Sequence, residues 1–390
     1  MVNSAMSPES QAPEAALFEG TQYRLVAPFA KGGMGDLYLV ENRTSGCQWV
    51  AKVVHEALAS DPQLVDRVRI EAQSLGNLRH PNIVCVIDSG NTSDRRPFIV
   101  MEYLKGNDLG RELASGRLFS LEEILRYADE ALAGIGAAHQ QGIIHRDLKP
   151  ENLFLHEHDG KRTLKILDFG VARIVPGIAP QSAVPLAYST GTGLVVGTLK
   201  YLSPEGAVGL TVDFRADIYS IGLVLYRMLA GRGPYPDDLS DSDLIALRLT
   251  QPPKPPSYFA PRPIAAQLDR VVLKALQISP NDRYQTASEF SEALREVRSL
   301  SLEFASSSEP VPIALSLRRH ERTSDSTRSV GPLEPSGSSP EQTTCPSSSP
   351  SFWLRCARYV PASFPREYAA IIVAALVFAV LLAAIAMVIR

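Results

Sequence analysis

Two acidic residues and one amide hold the clearest chemical potential in this chain. They lie in His145-Arg146-Asp147-Leu148-Lys149-Pro150-Glu151-Asn152 and in Lys165-Ile166-Leu167-Asp168-Phe169-Gly170. Asp147 and Asn152 are close enough in sequence for one loop to aim both at a single reacting centre. A carboxylate there accepts a hydroxyl proton, and an amide oxygen ligates a hard cation. Asp168 brings a second carboxylate on a glycine turn. Two carboxylates and an amide around a metal–phosphate site suit phosphoryl transfer. The plain alternative is that both aspartates only shape turns. The apolar flanks Ile143-Ile144 and Leu153-Phe154-Leu155 predict that the first loop is held between two short strands.

Such a site needs elements to position it. Arg24 to Ala30 reads as a strand, followed by Lys31-Gly32-Gly33-Met34-Gly35 and the strand-like Leu37-Tyr38-Leu39-Val40. Glycines let backbone amides approach phosphate oxygens, although a plain hairpin turn has the same composition. Gln48 to Val54 is a strand with one lysine, Lys52, among apolar residues. A charge there is either paired and functional or snorkels to solvent. Gln63 to Leu78 has helical spacing and contains Glu71. Ile83 to Ile87 and Phe98 to Glu102 read as two more strands. From Gly106 the pattern is helical: Leu121 to Gln141, the apolar run Ile218 to Ala230 opened by Asp217, and further helices from Ser242 to about residue 300. Between them, Val171 to Gly197 lacks periodicity and is rich in Pro, Gly, Ser and Thr, as expected of a mobile loop.

The two chemical segments match the H-R-D-L-x-x-x-N and D-F-G motifs, and the chain from about Tyr23 to Arg298 resembles the protein kinases. The Gly-Gly-Met-Gly loop and the order of segments are similar to bacterial Hanks-type serine/threonine kinases. The resemblance implies an α+β bilobal fold: a five-stranded N-lobe with one helix over residues 23–104, and a mainly helical C-lobe over 105–298. It implies ATP and Mg2+ as cofactors and protein serine or threonine hydroxyls as substrates. Asp147 would accept the hydroxyl proton, Lys149 would offset γ-phosphate charge, and Asn152 and Asp168 would hold the metal. Lys52, braced by Glu71, would hold the α- and β-phosphates. The nucleotide would contact Phe29, Ala30, Lys31, Gly32, Gly33, Met34, Gly35, Leu37, Val50, Met101, Glu102 and Leu104. Here Ala30 stands for the first glycine of the loop, Leu37 for its valine, and Val50 for the usual alanine. Glu205 of Ser203-Pro204-Glu205 would pair with Arg283, and Asp217 would anchor the catalytic loop. Arg146 would receive a regulatory phosphate on Ser189, Thr190 or Thr192, while Thr198 would sit beside the acceptor peptide.

Composition narrows the remaining choices. The 390 residues carry average apolar and charged fractions, so a substantial core is expected. A net charge of −3 gives no reason to expect nucleic-acid binding. The four cysteines have no C-x-x-C spacing, which supports neither a zinc site nor a disulfide framework. Residues 1–22 read as a disordered lead-in without a secretory signal. Residues 299–367 are Ser/Pro-rich and read as a juxtamembrane linker. Ala369 to Ile389 has no charge and as a helix would span about 31 Å, the thickness of a bilayer core. The expectation is a single-pass inner-membrane anchor over 368–390 that contacts lipid. Arg355, Arg358 and Arg366 would keep the kinase domain cytoplasmic. Ala375, Ala379 and Ala383 form a small-residue face on which two copies could dimerise.

Two competing readings stand beside an active protein kinase. One is a kinase-fold scaffold that binds nucleotide or a partner without transfer; the presence of Lys52, Asp147 and Asp168 argues against it. The other is a small-molecule kinase, disfavoured by the Ser203-Pro204-Glu205 ending.

Overall fold

β-branched and aromatic residues alternate with polar ones from Tyr23 to Glu102, and they build a five-stranded antiparallel sheet. Its strands are β1 (Tyr23–Ala30), β2 (Gly35–Asn42), β3 (Gln48–Val54), β4 (Val86–Asn91) and β5 (Pro97–Glu102), in the order β1-β2-β3-β5-β4. The computed structural model describes residues 16–33, 35–60, 62–169 and 198–307. Contacts divide the chain into residues 1–299 and 300–390; of the second unit only the end of one helix is described.

The sheet is covered on both faces. A short helix, α1 (Glu56–Ala59), leads into α2 (Pro62–Asn77), whose Val68, Ala72 and Leu75 are buried in one cluster with Ile83, Val86 and Ile99. A second cluster joins Tyr23, Tyr38, Val40, Ala51, Val53, Phe98 and Val100 to Leu17 and Phe18. Leu17 and Phe18 belong to a 3-10 turn, Ala16–Phe18. The Phe18 ring meets Phe98 and Tyr38 edge-on at 5.4 and 6.1 Å. The expected lead-in over 1–22 therefore needs correction: from residue 16 it is part of the N-lobe, because two adjacent apolar side chains close one face of the sheet.

A second correction concerns the strand expected at Ile83 to Ile87. The ladder begins only at Val86. Ile83 is buried but forms an isolated parallel bridge to Ile166. The Val84 amide donates to the Ile166 carbonyl, and the Ile166 amide donates to the Asn82 carbonyl. Those backbone groups are committed to the second sheet, so they cannot join the first.

That second sheet is a small one: β6 (Gly106–Asp108), β7 (Leu153–His158) and β8 (Lys161–Ile166). Helices α3 (Leu109–Ala114), α4 (Leu121–Gln140), α5 (Pro204–Ala207), α6 (Arg215–Ala230), α7 (Asp241–Thr250), α8 (Ala266–Ala275) and α9 (Ala287–Ser307) form the rest. Ser120 and Glu123 make a reciprocal capping box that starts α4 on its register. Nearly every residue of α6 from Ala216 to Ala230 is buried, matching its unbroken apolar run. The helix stops at Gly231, whose φ of 73° favours glycine. The last helix continues to Ser307, past the domain end expected at residue 298. Among the described residues no helix is long and apolar enough to cross a membrane. The span expected over 368–390 lies outside them.

Candidate active site

The catalytic loop hangs between the end of α4 and the start of β7. Only its second flank is a strand; Ile143-Ile144 belongs to no ladder. The anchor comes instead from α6. Asp217, 1% exposed, accepts the His145 and Arg146 backbone amides at 2.9 Å each, one on each carboxylate oxygen. His139 at the end of α4 lies 2.8 Å from the same carboxylate. A buried carboxylate is costly unless donors surround it, and these donors fix the loop.

Arg146 and Asp168 both adopt the left-handed region, with φ of 63° and 44°. Such conformations persist in non-glycine residues only where the surroundings hold them. Between the two sits the fully buried His145 ring. Its Nε2 is 2.8 Å from the Leu167 carbonyl, and its Nδ1 accepts from the Asp147 amide at 3.3 Å. A carbonyl can only accept and an amide can only donate, so the neutral Nε2–H tautomer is selected. Burial pushes the His145 pKa below its usual 6.5, against the pull of Asp217 and the nearby acidic groups. Phe169 stacks obliquely on this ring at 4.7 Å and is itself buried.

The expected chemical groups converge here. Lys149 Nζ is 3.1 Å from an Asp147 carboxylate oxygen. The Asn152 amide nitrogen donates to the Asp147 carbonyl at 2.7 Å and reaches its carboxylate at 3.2 Å. Both partners are acceptors, which turns the nitrogen toward Asp147 and leaves the Asn152 side-chain oxygen for a cation. The Leu167 amide donates to the Asn152 backbone carbonyl at 2.8 Å, tying the loop to Asp168. Lys52 Nζ meets the Asp168 carboxylate at 2.7 Å. Burial pushes the Asp168 pKa up, but the Lys52 charge and hydrogen bond, with His145 and Lys149, outweigh it and hold the carboxyl below its ordinary range. Glu71 falls on α2 as expected, but its side chain lies outside the described residues, so the described partner of Lys52 is Asp168.

Above this cluster, the β2–β3 ladder sets Leu37 opposite Lys52, and the β3–β5 ladder sets Val50 opposite Met101. A side chain at Gly32 would press within 2.8 Å of the Gly35 carbonyl, and one at Gly35 would collide with the Val53 carbonyl. Those two glycines are therefore required by the loop's own tightness. Phe29 is half-exposed and meets Tyr103 edge-on at 5.8 Å. Ala30 ends β1, and Lys31 is exposed. Glu102 spends its amide on the Cys85 carbonyl and its carboxylate on Lys165 and the Cys85 amide, so it retains no free donor. Met34, Ser189, Thr190 and Thr192 lie outside the described residues, as does the side chain of Thr198.

The family described as "Protein kinase domain" matches residues 23–295. The chain belongs to that family. Serine/threonine-protein kinase Pkn1 of Myxococcus xanthus is 39% identical over 278 residues, which is 70% of this chain and 38% of Pkn1. PknB of Mycobacterium leprae is 37% identical over 71% of this chain and 43% of its own length. The crystal structure of the Mycobacterium tuberculosis PknI kinase domain superposes with a TM-score of 0.55 at 28% identity, covering 72% of this chain and 98% of that one. The chain thus spans about two fifths of the length of these curated relatives.

Within this kinase domain the oxygen set suits its expected cation. Among the described residues no group of three or more His, Cys, Asp or Glu could hold a metal unaided. One carboxylate and one amide oxygen, completed by phosphates and water, is how Mg2+ is commonly held. Glu205 and Arg283 pair as expected, through two hydrogen bonds of 2.8 and 2.7 Å, with both side chains at most 3% exposed.

Sequence reasoning missed two residues near the kinase site. His55 Nε2 lies 2.7 Å from the Gly32 carbonyl and ties the end of β3 to the glycine loop. Lys165 pairs with Glu102 at 2.7 Å and links β8 to β5. Both contacts cross long stretches of chain; Lys165 interrupts the run Leu164-Lys165-Ile166-Leu167 as Lys52 interrupts its strand, but nothing local names the partner of either residue.

Proposed function

We propose that this chain is a serine/threonine protein kinase that transfers the γ-phosphate of ATP to protein hydroxyls. The observation that carries the reading is the linked set Lys52–Asp168 and Lys149–Asp147–Asn152 on one anchored loop. A lysine beside the catalytic carboxylate is the serine/threonine form of that loop. Asp147 orients the acceptor hydroxyl and takes its proton. Lys149 offsets charge on the transferred phosphoryl group. Lys52 holds the nucleotide phosphates, and the glycine loop covers them with backbone amides. Asn152 and Asp168 would hold Mg2+, which when bound neutralises charge on the phosphate oxygens. The residues of this chain mostly position and stabilise; little covalent work is asked of them.

Control and location extend the reading. A phosphate on Ser189, Thr190 or Thr192 would pair with Arg146 and order the loop. The charge-free stretch before Arg390 anchors the protein in an inner membrane with the kinase domain on the cytoplasmic side, and its alanine face pairs two copies for phosphorylation in trans. Phosphopeptide mapping of active protein tests the first point; modification confined to other residues would dismiss it. Crosslinking in membranes tests the pairing, which an exclusively monomeric pattern would refute.

Incubation of the full-length chain with ATP and Mg2+, beside Asp147→Asn, tests the activity. Incorporation by the first and none by the second is the expected result. Nucleotide binding without incorporation in either would turn the reading toward a scaffold.

A further inference from the structure

Arg248 of α7 is 2% exposed and is among the largest fully buried side chains in the described structure. No carboxylate among the described residues lies within ion-pair distance of it. Its guanidinium instead grips one turn of main chain. One terminal nitrogen donates to the Leu199 carbonyl at 3.0 Å and to the Leu202 carbonyl; the other donates to the Lys200 carbonyl at 2.9 Å. The remaining carbonyl of the turn, Tyr201, accepts from Ser220 of α6 at 2.8 Å. Four consecutive carbonyls are thus held by two side chains from two helices. Arg248 Nε has no acceptor, so all three hydrogen bonds of the fork go to the turn, while the Tyr235 ring lies 5.8 Å from the guanidinium carbon.

Burying a guanidinium without a counter-charge carries a desolvation cost that an apolar side chain would avoid. A simple filler of this space would not be an arginine. What the arginine achieves is a fixed main-chain course through 199–202, just ahead of Ser203-Pro204-Glu205. That turn abuts the catalytic loop: Arg146, Leu202, Ser203, Gly206, Asp217 and Ser220 line one small cavity.

We infer that Arg248 is a positioning residue for the acceptor polypeptide, holding the turn against which the segment around the reacting hydroxyl is laid. The inference rests on the kinase reading above. It acts on the acceptor side, since among the described residues no hydrogen bond or ion pair joins the side chains or carbonyls of 199–202 to Lys52 or Asp168. Lysine at this position keeps the positive charge but lacks the planar fork that spans these carbonyls, so the turn loosens.

The test uses the full-length chain, ATP with Mg2+, and a pooled library of serine- and threonine-containing peptides. Arg248→Lys should raise the apparent KM for the peptides by ~10-fold, while the KM for ATP changes by less than about twofold. Hydrogen exchange of the amides in 199–203 should quicken in the same variant, with α6 still protected. Ser220→Ala, which within the turn frees only the Tyr201 carbonyl and within α6 removes the hydroxyl shared with the Ala216 carbonyl, should shift the peptide KM in the same direction by a smaller factor. An unchanged peptide KM in both variants, with the wild type active, overturns the inference and leaves the kinase reading intact. So does a KM for ATP that rises in step with that for peptide. No transfer by the wild type to any peptide overturns the kinase reading, and this inference with it.

Discussion

The Lys52 ammonium lies 2.7 Å from the Asp168 carboxylate, a contact that joins the N-lobe sheet to the segment following β8. The Lys52 charge holds the Asp168 carboxyl below its ordinary range and in place before nucleotide arrives. Lys52→Met removes the cation and leaves Asp168 without its main counter-charge. The expected result is a loss of kcat/KM of about 100-fold or more, with the Asp168 pKa moving upward. Steady-state kinetics over a range of ATP concentrations check it; a variant within threefold of wild type would refute the role.

Asp147→Asn removes the proton acceptor but keeps the shape of the group. Asn152 can still donate to the residue-147 carbonyl, so the loop should hold its course. Phosphate transfer should fall by ~1000-fold, while nucleotide affinity stays within about threefold. Rates of incorporation, set beside nucleotide titrations of the same preparation, separate the two effects.

Much of this site was legible in sequence because its chemistry sits on short contiguous motifs. Asp147, Lys149, Asn152 and Asp168 are each fixed by spacing from their neighbours. The strand carrying Lys52 is also explicit, since one lysine interrupts an apolar run. Contacts that join distant segments were not legible. Nothing local marks His55 as the partner of the Gly32 carbonyl, or Lys165 as the partner of Glu102. The N-terminal correction has the same origin: Leu17 and Phe18 are too short a run to register as an element, yet two aromatic neighbours from β2 and β5 bury them. At Ile83 the apolar pattern reads as a strand of the first sheet, but the residue bridges to Ile166 of the second, because an apolar run does not name its partner.

Burial of the His145 ring predicts an acid limb in both stability and transfer rate. Its folded-state pKa lies below the ordinary 6.5, because burial disfavours the charged ring. A lowered value means that the unfolded chain binds the proton more readily. The contribution to stability is therefore complete above about pH 6.5 and is lost as pH falls through the folded value. Protonation at Nδ1 would also displace the Asp147 amide, so the transfer rate should decline over the same range. Thermal melts and initial rates between about pH 5 and 8, compared with His145→Gln, check this. An acid limb of equal steepness in the variant would assign it to other groups.

The charge-free stretch near the C-terminus predicts membrane retention of the full-length chain. Val377→Lys combined with Leu381→Arg puts two charges into the expected span, at a cost of about 3 kcal/mol each near its centre. The wild type should stay in the pellet after a carbonate wash, and the double variant should move to the supernatant with its ATP-dependent incorporation retained. A wild-type chain that washes off as freely as the variant would remove the anchor from the reading.

The Glu205–Arg283 pair is the strongest single test of how the C-lobe is held. Both side chains are at most 3% exposed and meet through two parallel hydrogen bonds. Arg283 also donates to the backbone carbonyls of Gln277 and Ile278, so the pair joins α5 to the segment after α8. Attraction between two buried charges mostly offsets the cost of desolvating them, so the intact pair adds little net stability. Breaking it is another matter. Glu205→Gln leaves a buried guanidinium without its counter-charge and should destabilise the domain by about 3–5 kcal/mol. Glu205→Gln with Arg283→Met should cost less than the sum of the two single changes, since no uncompensated charge remains. Urea unfolding of all four proteins closes the cycle. Additive losses would mean that the two residues act independently, and that the segment after α8 is held by its backbone contacts alone.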